Sequence, residues 1–158
     1  MNNWLVATYK MNEVSKIEAN LLNQNFNYYL PKIKSKKINS SAKVEILFPG
    51  YIFIYTNIEK LSVLKYTRGI KNIIKFGNNI SCMTESEIKS IKIIEEESNI
   101  NPVTLKIQIG QDAIISKGSL KGNIVKICSL PSKERVNILL SFLGSMRKVN
   151  IPQKDLTF

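Results

Sequence analysis

The chain has 158 residues, 44% of them hydrophobic, which is enough to pack one ordinary domain or two small ones and argues against wholesale disorder. Its 23 basic residues against 12 acidic ones give a net charge of +11, which favours a polyanionic partner; a merely solvated basic surface is the competing reading. The chain lacks histidine, a cysteine pair (Cys82 and Cys128 are far apart), a glycine-rich phosphate loop and a long apolar run, which argues against zinc sites, histidine-based catalysis, nucleotide cradles and membrane spans.

Trp4 to Tyr9 is dominated by aromatic and β-branched residues and predicts a strand. Asn12 is placed to cap a helix with Val14, Ile17 and Leu21 on its buried stripe, ending among Asn23, Gln24 and Asn25. "FNYYLPKI" resumes as a strand that stops near Pro31. Residues 34–43, "KSKKINSSAK", read as an exposed hairpin loop, with Lys34, Lys36 and Lys37 on a solvated face.

Val44–Phe48 and Tyr51–Tyr55 follow as strand segments on either side of Pro49-Gly50. Pro49 cannot donate to a sheet ladder and Gly50 has no side chain to pack, so the pair should turn or bulge the chain. Tyr51 and Phe53 stand two apart and therefore share one face of their strand. That face is either core or docking surface.

A short helix over Ile58–Leu64 leads to a strand at "IIKF" (73–76). Thr84 with Glu87 fits a capping box for a helix striped by Ile88, Ile91 and Ile94. Glu95, Glu96 and Glu97 at its C-terminus oppose the macrodipole and should fray it; they read as a solvated helix end, not a catalytic carboxylate pair. "SNINPV" (98–103) is the best boundary. Beyond it, strands are expected near 112–116, 123–129, 134–142 and 146–150, the pattern of a small barrel.

Four stretches, in order, resemble the NusG family of transcription elongation factors. "WLVATYK" (4–10), "LFPGYIFI" (47–54) and "TRGIKNIIKFG" (67–77) resemble its NGN domain. "IGQDAIISKGSLKGNIVKI" (109–127), with Gly110, Gly118 and Gly122, resembles a KOW motif, and "RVNILLSFLG" (135–144) resembles the strand after it. The resemblance implies an α+β protein: an NGN domain over 1–97, with an antiparallel sheet flanked by helices, a linker over 98–104, and a small SH3-like KOW β-barrel over 105–158. "EILFPGY" (45–51) and "YTRG" (66–69) resemble specialised RfaH-like paralogues, whereas "FLG" (142–144) resembles the general members.

The family likeness also implies a function. The expected protein is a cytoplasmic, monomeric, non-enzymatic factor without cofactor or metal that suppresses pausing and supports antitermination. It would bind the clamp helices of the RNA polymerase β′ subunit, with the β subunit as a further contact, and touch the DNA of the elongation complex. The KOW domain would recruit ribosomal protein S10 or Rho. Tyr51, Phe53, Phe76 and Ile91 match polymerase-binding positions, each with a core role as the alternative. Lys10 and Arg68 match positions that touch DNA in RfaH-like paralogues, with Thr67 beside Arg68 in the nucleic-acid-binding set; solvated charge is the alternative for each cation. Asn20 and Gln24, one helical turn apart, could reach base edges. A stand-alone RNA-binding or ribosome-associated KOW module is the alternative function.

In RfaH-like paralogues the C-terminal domain can fold instead as a helical hairpin held in part by a Glu–Arg ion pair, and Glu45 and Arg135 occupy the matching interdomain positions. Gly144 and the alternation of "VNILLSF" favour strand, so a permanent barrel is expected, with Ile138, Leu140 and Phe142 in its core.

Overall fold

The computed structural model describes residues 1–36, 39–100, 103–104 and 131–145. In chain order its elements are β1 (Asn3–Tyr9), α1 (Val14–Asn23), β2 (Asn27–Tyr29), β3 (Lys32–Lys36), β4 (Lys43–Ile46), β5 (Tyr51–Thr56), α2 (Leu61–Lys65) and β6 (Ile70–Ile73). Then come β7 (Lys75–Phe76), β8 (Asn79–Ile80), β9 (Cys82–Met83), α3 (Glu85–Ile100), β10 (Val103–Thr104) and α4 (Ser132–Ser145). Two units share these elements. One combines Met1–Leu30 with Gly50–Glu85, the other Pro31–Pro49 with Ser86–Phe158.

The first unit is built on an antiparallel sheet in the order β2-β5-β1-β6, with β9 also pairing with β1. Four consecutive residues of β1, Trp4 to Ala7, are buried, as a strand covered on both faces requires. The register sets Trp4 opposite Tyr55, Val6 opposite Phe53 and Thr8 opposite Tyr51, while Tyr29 pairs with Phe53 from the other side. One face of the sheet is therefore aromatic: Trp4, Tyr29, Tyr51, Phe53 and Tyr55. Its opposite face carries Leu5, Ala7, Ile52 and Ile54. Helix α1 belongs on that aliphatic side, because the Tyr28 hydroxyl, opposite Ile54 in register, donates to Glu18 Oε1 at 3.3 Å.

Asn12 does not cap α1. Met11–Glu13 forms a 3-10 turn, the helix opens at Val14, and the residue before it, Glu13, makes no side-chain cap. The end of α1 falls at Asn23, with Asn25 at φ 59 turning the chain into β2. The short helix expected over 58–64 is present as a 3-10 turn at Ile58–Lys60 followed by α2, with the Asn57 side chain accepting from the Lys60 N–H at 3.1 Å.

In the second unit β3 and β4 form the hairpin that the polar stretch suggested, although strand runs to Lys36, so Lys34 and Lys36 lie within β3 rather than in the loop. Strand β10 adds to the other side of β3 in parallel. Helix α3 completes that side: Glu95 Oε1 accepts from the Lys32 N–H at 3.1 Å and Ser98 Oγ from the Lys34 N–H at 3.0 Å. These bonds explain why α3 does not fray at Glu95–Glu97. It continues to Ile100, into the stretch expected to be linker, because its last turn is tied to a strand edge.

Pro49-Gly50 proves to be a hand-over between sheets. Strand β4 belongs to the second unit's sheet and β5 to the first, with Leu47 and Phe48 buried ahead of the turn. Gly50 sits at φ +87, which L side chains rarely adopt, after a proline that suits the preceding turn position.

The largest correction concerns residues 132–145. The strand expected over 134–142 is helix α4. Its buried residues Arg135, Ile138, Leu139 and Leu143 fall at helical spacing, a period the same segment holds beside its strand-like alternation. Pro131 precedes the helix, its carbonyl accepting from the N–H groups of Glu134 and Arg135, and Glu134 in the first turn complements the macrodipole. The barrel strands expected near 112–116, 123–129 and 146–150, and the KOW glycines, lie outside the described residues.

Candidate functional site

Two features of the first unit are candidates for function, and the first is the aromatic face. Trp4 and Tyr55 have ring centroids 5.2 Å apart and tilted, and Tyr29 stacks on Phe53 at 6.3 Å. The Trp4 indole N–H donates to Glu85 Oε1 at 2.8 Å, fixing its edge. Phe53 is fully buried, whereas Tyr29, Tyr51 and Tyr55 are half-buried. Burial pushes the Tyr51 phenol above its ordinary pKa. Phe76, the third predicted polymerase-binding residue, is half-buried beside the tip of the β7–β8 hairpin, where it pairs with Asn79. Ile91, the fourth, lies in the second unit and is fully buried on α3.

The second feature is the turn between α2 and β6. Here Thr67 is buried while its neighbours Tyr66 and Arg68 are exposed. The Thr67 hydroxyl, with one proton to give, donates to Gln24 Oε1 at 2.7 Å or to the Val63 carbonyl at 3.0 Å. The Asn20 amide donates to the Arg68 carbonyl at 2.9 Å. Gly69, at φ +102, lets the turn close on α1: a Cβ there would lie 3.2 Å from Ile17. Lys10 reaches the same turn, its N–H donating to the Gly69 carbonyl at 3.2 Å.

The structure thus brings Lys10, Asn20, Gln24, Thr67 and Arg68 together around one turn. Asn20 and Gln24 use polar groups to tether the turn, and Thr67 is its buried anchor. Lys10 and Arg68 are the exposed cations. Tyr66, which the sequence reading passed over except as part of "YTRG", stands 89% exposed between them in the chain. An aromatic set between Lys65 and Arg68 was the available signal.

The second unit supplies the remaining predicted pair. Arg135, 1% exposed on α4, donates from Nη1 to Glu45 Oε1 at 2.6 Å and from Nη2 to the Ile46 carbonyl at 3.5 Å. Glu45 and Arg135 join β4 to α4 within one unit. The short distance and the burial of the guanidinium make this a charge-assisted contact with little solvent screening on the Arg side.

The family profile described as transcription termination factor nusG matches residues 2–92, more than half of the chain. The chain belongs to the NusG family. Among solved structures, one of NusG from Thermotoga maritima, concerned with domain interaction, is similar at 14% identity and a TM-score of 0.45, covering 72% of this chain and 69% of that one. No curated protein matches. As a NusG-family member the chain is, in the general sense, a transcription elongation and antitermination factor, and the family generally binds RNA polymerase. No helix among the described residues is long and apolar enough to cross a membrane.

Proposed function

We propose that the first unit docks on the clamp helices of the RNA polymerase β′ subunit through the aromatic face of its sheet. The observation that carries this reading is the set of five aromatic side chains on one face, three of them tyrosines half in water. Large aromatics with a wet edge are typical interface anchors, since they offer apolar area and a hydroxyl at low entropic cost. Tyr51 and Phe76 are the accessible members of the predicted set, and Phe53, buried on the same face as Tyr51, stacks on Tyr29. Lys10 and Arg68 then face the DNA. A protein that contacts both sides of the channel binds the closed clamp better than the open one, and so shifts that equilibrium toward closure. Pausing that needs an open clamp is suppressed, and the mechanism requires no catalytic residue. The KOW segment, over 105–158, would recruit a further partner such as ribosomal protein S10 or Rho.

Capture of polymerase core enzyme by the immobilised chain tests the proposal. Polymerase is the expected prey; recovery of ribosomes without polymerase would support the stand-alone KOW module instead.

A second reading, a specialised RfaH-like paralogue, is favoured by helix α4 and the Glu45–Arg135 pair. In that reading the pair latches the helical form of the C-terminal segment. Two folds of one segment interconvert only when they lie within a few kcal/mol, so a single ion pair is large enough to decide between them. A Glu45→Ala change would then raise the affinity of the full chain for isolated clamp helices, whereas a general factor would show no gain.

A further inference from the structure

One row of side chains crosses the sheet of the first unit at the end away from Tyr51. Pairing sets Asn27 opposite Tyr55, Tyr55 opposite Trp4 and Trp4 opposite Met83, so the four share the aromatic face. Trp4 and Met83 are buried, Tyr55 is half-buried and Asn27 is exposed. Glu85 follows β9 at the Trp4 end of the row. Its side chain is exposed, and its Oε1 accepts from the Trp4 indole N–H at 2.8 Å. Among the described residues Glu85 is in no salt bridge and makes no other side-chain hydrogen bond, so its second oxygen is unused.

The indole N–H needs only an acceptor, which a neutral amide would supply as well. The charge of Glu85 therefore has no use in holding Trp4. Its sign is also against the trend of a chain that carries +11. The other carboxylates of the unit are placed elsewhere: Glu13 lies near Lys16, Glu18 accepts from Tyr28 on the aliphatic side, and Glu59 is in the 3-10 turn after β5. A carboxylate fastened to Trp4, whose ring is tilted against Tyr55 at 5.2 Å, sets a negative charge beside an aromatic surface. An apolar guest would desolvate that charge without pairing it, and an anion would be repelled. A cation gains from both groups. A guanidinium fits better than an ammonium, because a flat fork can lie on a ring while its edge donates to a carboxylate oxygen.

We infer that Glu85 and Tyr55 form a receptor for an arginine side chain of the polymerase helix seated on the aromatic face. The guanidinium lies on the Tyr55 ring, and its edge donates to the second oxygen of Glu85. Trp4 is a positioning residue that holds the carboxylate. The inference rests on the reading that this face docks on the clamp helices, and it adds a charged contact that fixes the register of the docked helix. Tyr55 stands four residues along β5 from Tyr51, about 13 Å, which a helix lying along the strands covers in roughly two to three turns.

Titration of labelled β′ clamp helices into the full chain tests it, repeated in the Glu45→Ala background. Glu85→Gln keeps an acceptor for the Trp4 N–H and removes only the charge. Its thermal midpoint should equal the parent's, while affinity for the clamp helices falls roughly tenfold. Tyr55→Phe should bind as the parent does, because the ring and not the hydroxyl is used; Tyr55→Leu should lose about two- to fivefold. On the partner side, clamp-helix arginines replaced by glutamine one at a time should reveal one whose loss matches that of Glu85→Gln and adds nothing to it. Lysine at that position should restore only part of the affinity. The arginine scan leaves this chain untouched, so it reads the contact independently of any effect on the fold. Parent-like binding by Glu85→Gln, or a loss that adds fully to every arginine replacement, overturns the receptor and leaves the clamp contact standing. No binding by the parent in either background overturns both.

Discussion

At the scale of the residue, Gly69 connects backbone geometry to the turn that carries Arg68. Its φ of +102 is unfavourable for any L side chain, and a Cβ would press on both Cβ and Cδ1 of the buried Ile17 at 3.2 Å. A Gly69→Ala chain should therefore lose about 2 kcal/mol of stability in chemical denaturation, and the turn carrying Arg68 should shift with it. Unchanged stability would mean that the turn is looser than its tethers imply. Tyrosines give a second residue-scale expectation. Burial raises the phenol pKa of Tyr9, Tyr28 and Tyr51, with Glu18 also raising the first two. A raised folded pKa means the fold holds the proton more tightly than the unfolded chain. The stability linked to these protons is complete below the unfolded value of about 10 and is lost as pH rises through the folded values. Unfolding followed against pH should show a fall beginning near pH 10, reduced in a Tyr9→Phe, Tyr28→Phe, Tyr51→Phe chain.

At the scale of the element, α4 shows how a sequence pattern can hold two answers. Alternation at Ile138 and Leu140 favours a strand, and the spacing of Arg135, Ile138, Leu139 and Leu143 fits a helix equally well. Local propensity does not choose between them; the helical form also carries a long-range contact, since buried Arg135 on α4 donates to Glu45, ninety residues away, and to the Ile46 carbonyl. Glu45→Ala would leave a buried guanidinium short of its carboxylate. Breaking a buried pair in this way costs about 3–5 kcal/mol. Here the loss should lie toward the lower end, because the Glu45 side chain keeps 34% of its surface in water. Denaturation, together with loss of helical circular dichroism, checks this; an intact helical signal at unchanged stability would show that α4 stands without the pair. Strands β1 and β5 were legible for the opposite reason. Their runs are apolar on both faces, which only a central strand satisfies. The start of α1 and the end of α3 differ from expectation because a 3-10 turn and a strand edge, neither visible in local sequence, set the boundary.

At the scale of the whole molecule, the family motifs over the first unit carried the site further than composition did. They singled out Lys10, Thr67 and Arg68, which the structure gathers at the turn before β6, while the hydrogen bonds from Asn20 to the Arg68 carbonyl and from Thr67 to Gln24 are seen only in three dimensions. The division of Tyr51 and Phe53 between surface and core was not legible, since both lie on one strand face and only the third dimension buries the second. The central claim is that the aromatic face of the first unit binds the polymerase clamp. Its most direct test titrates isolated β′ clamp helices into the Glu45→Ala chain, which lacks the ion pair proposed as a latch in the second reading, with Tyr51 intact or replaced by Ala. The account predicts saturable binding with Tyr51 intact and binding weakened roughly tenfold or more by Tyr51→Ala, at an unchanged thermal midpoint. No binding by either chain, or equal binding by both, would contradict it.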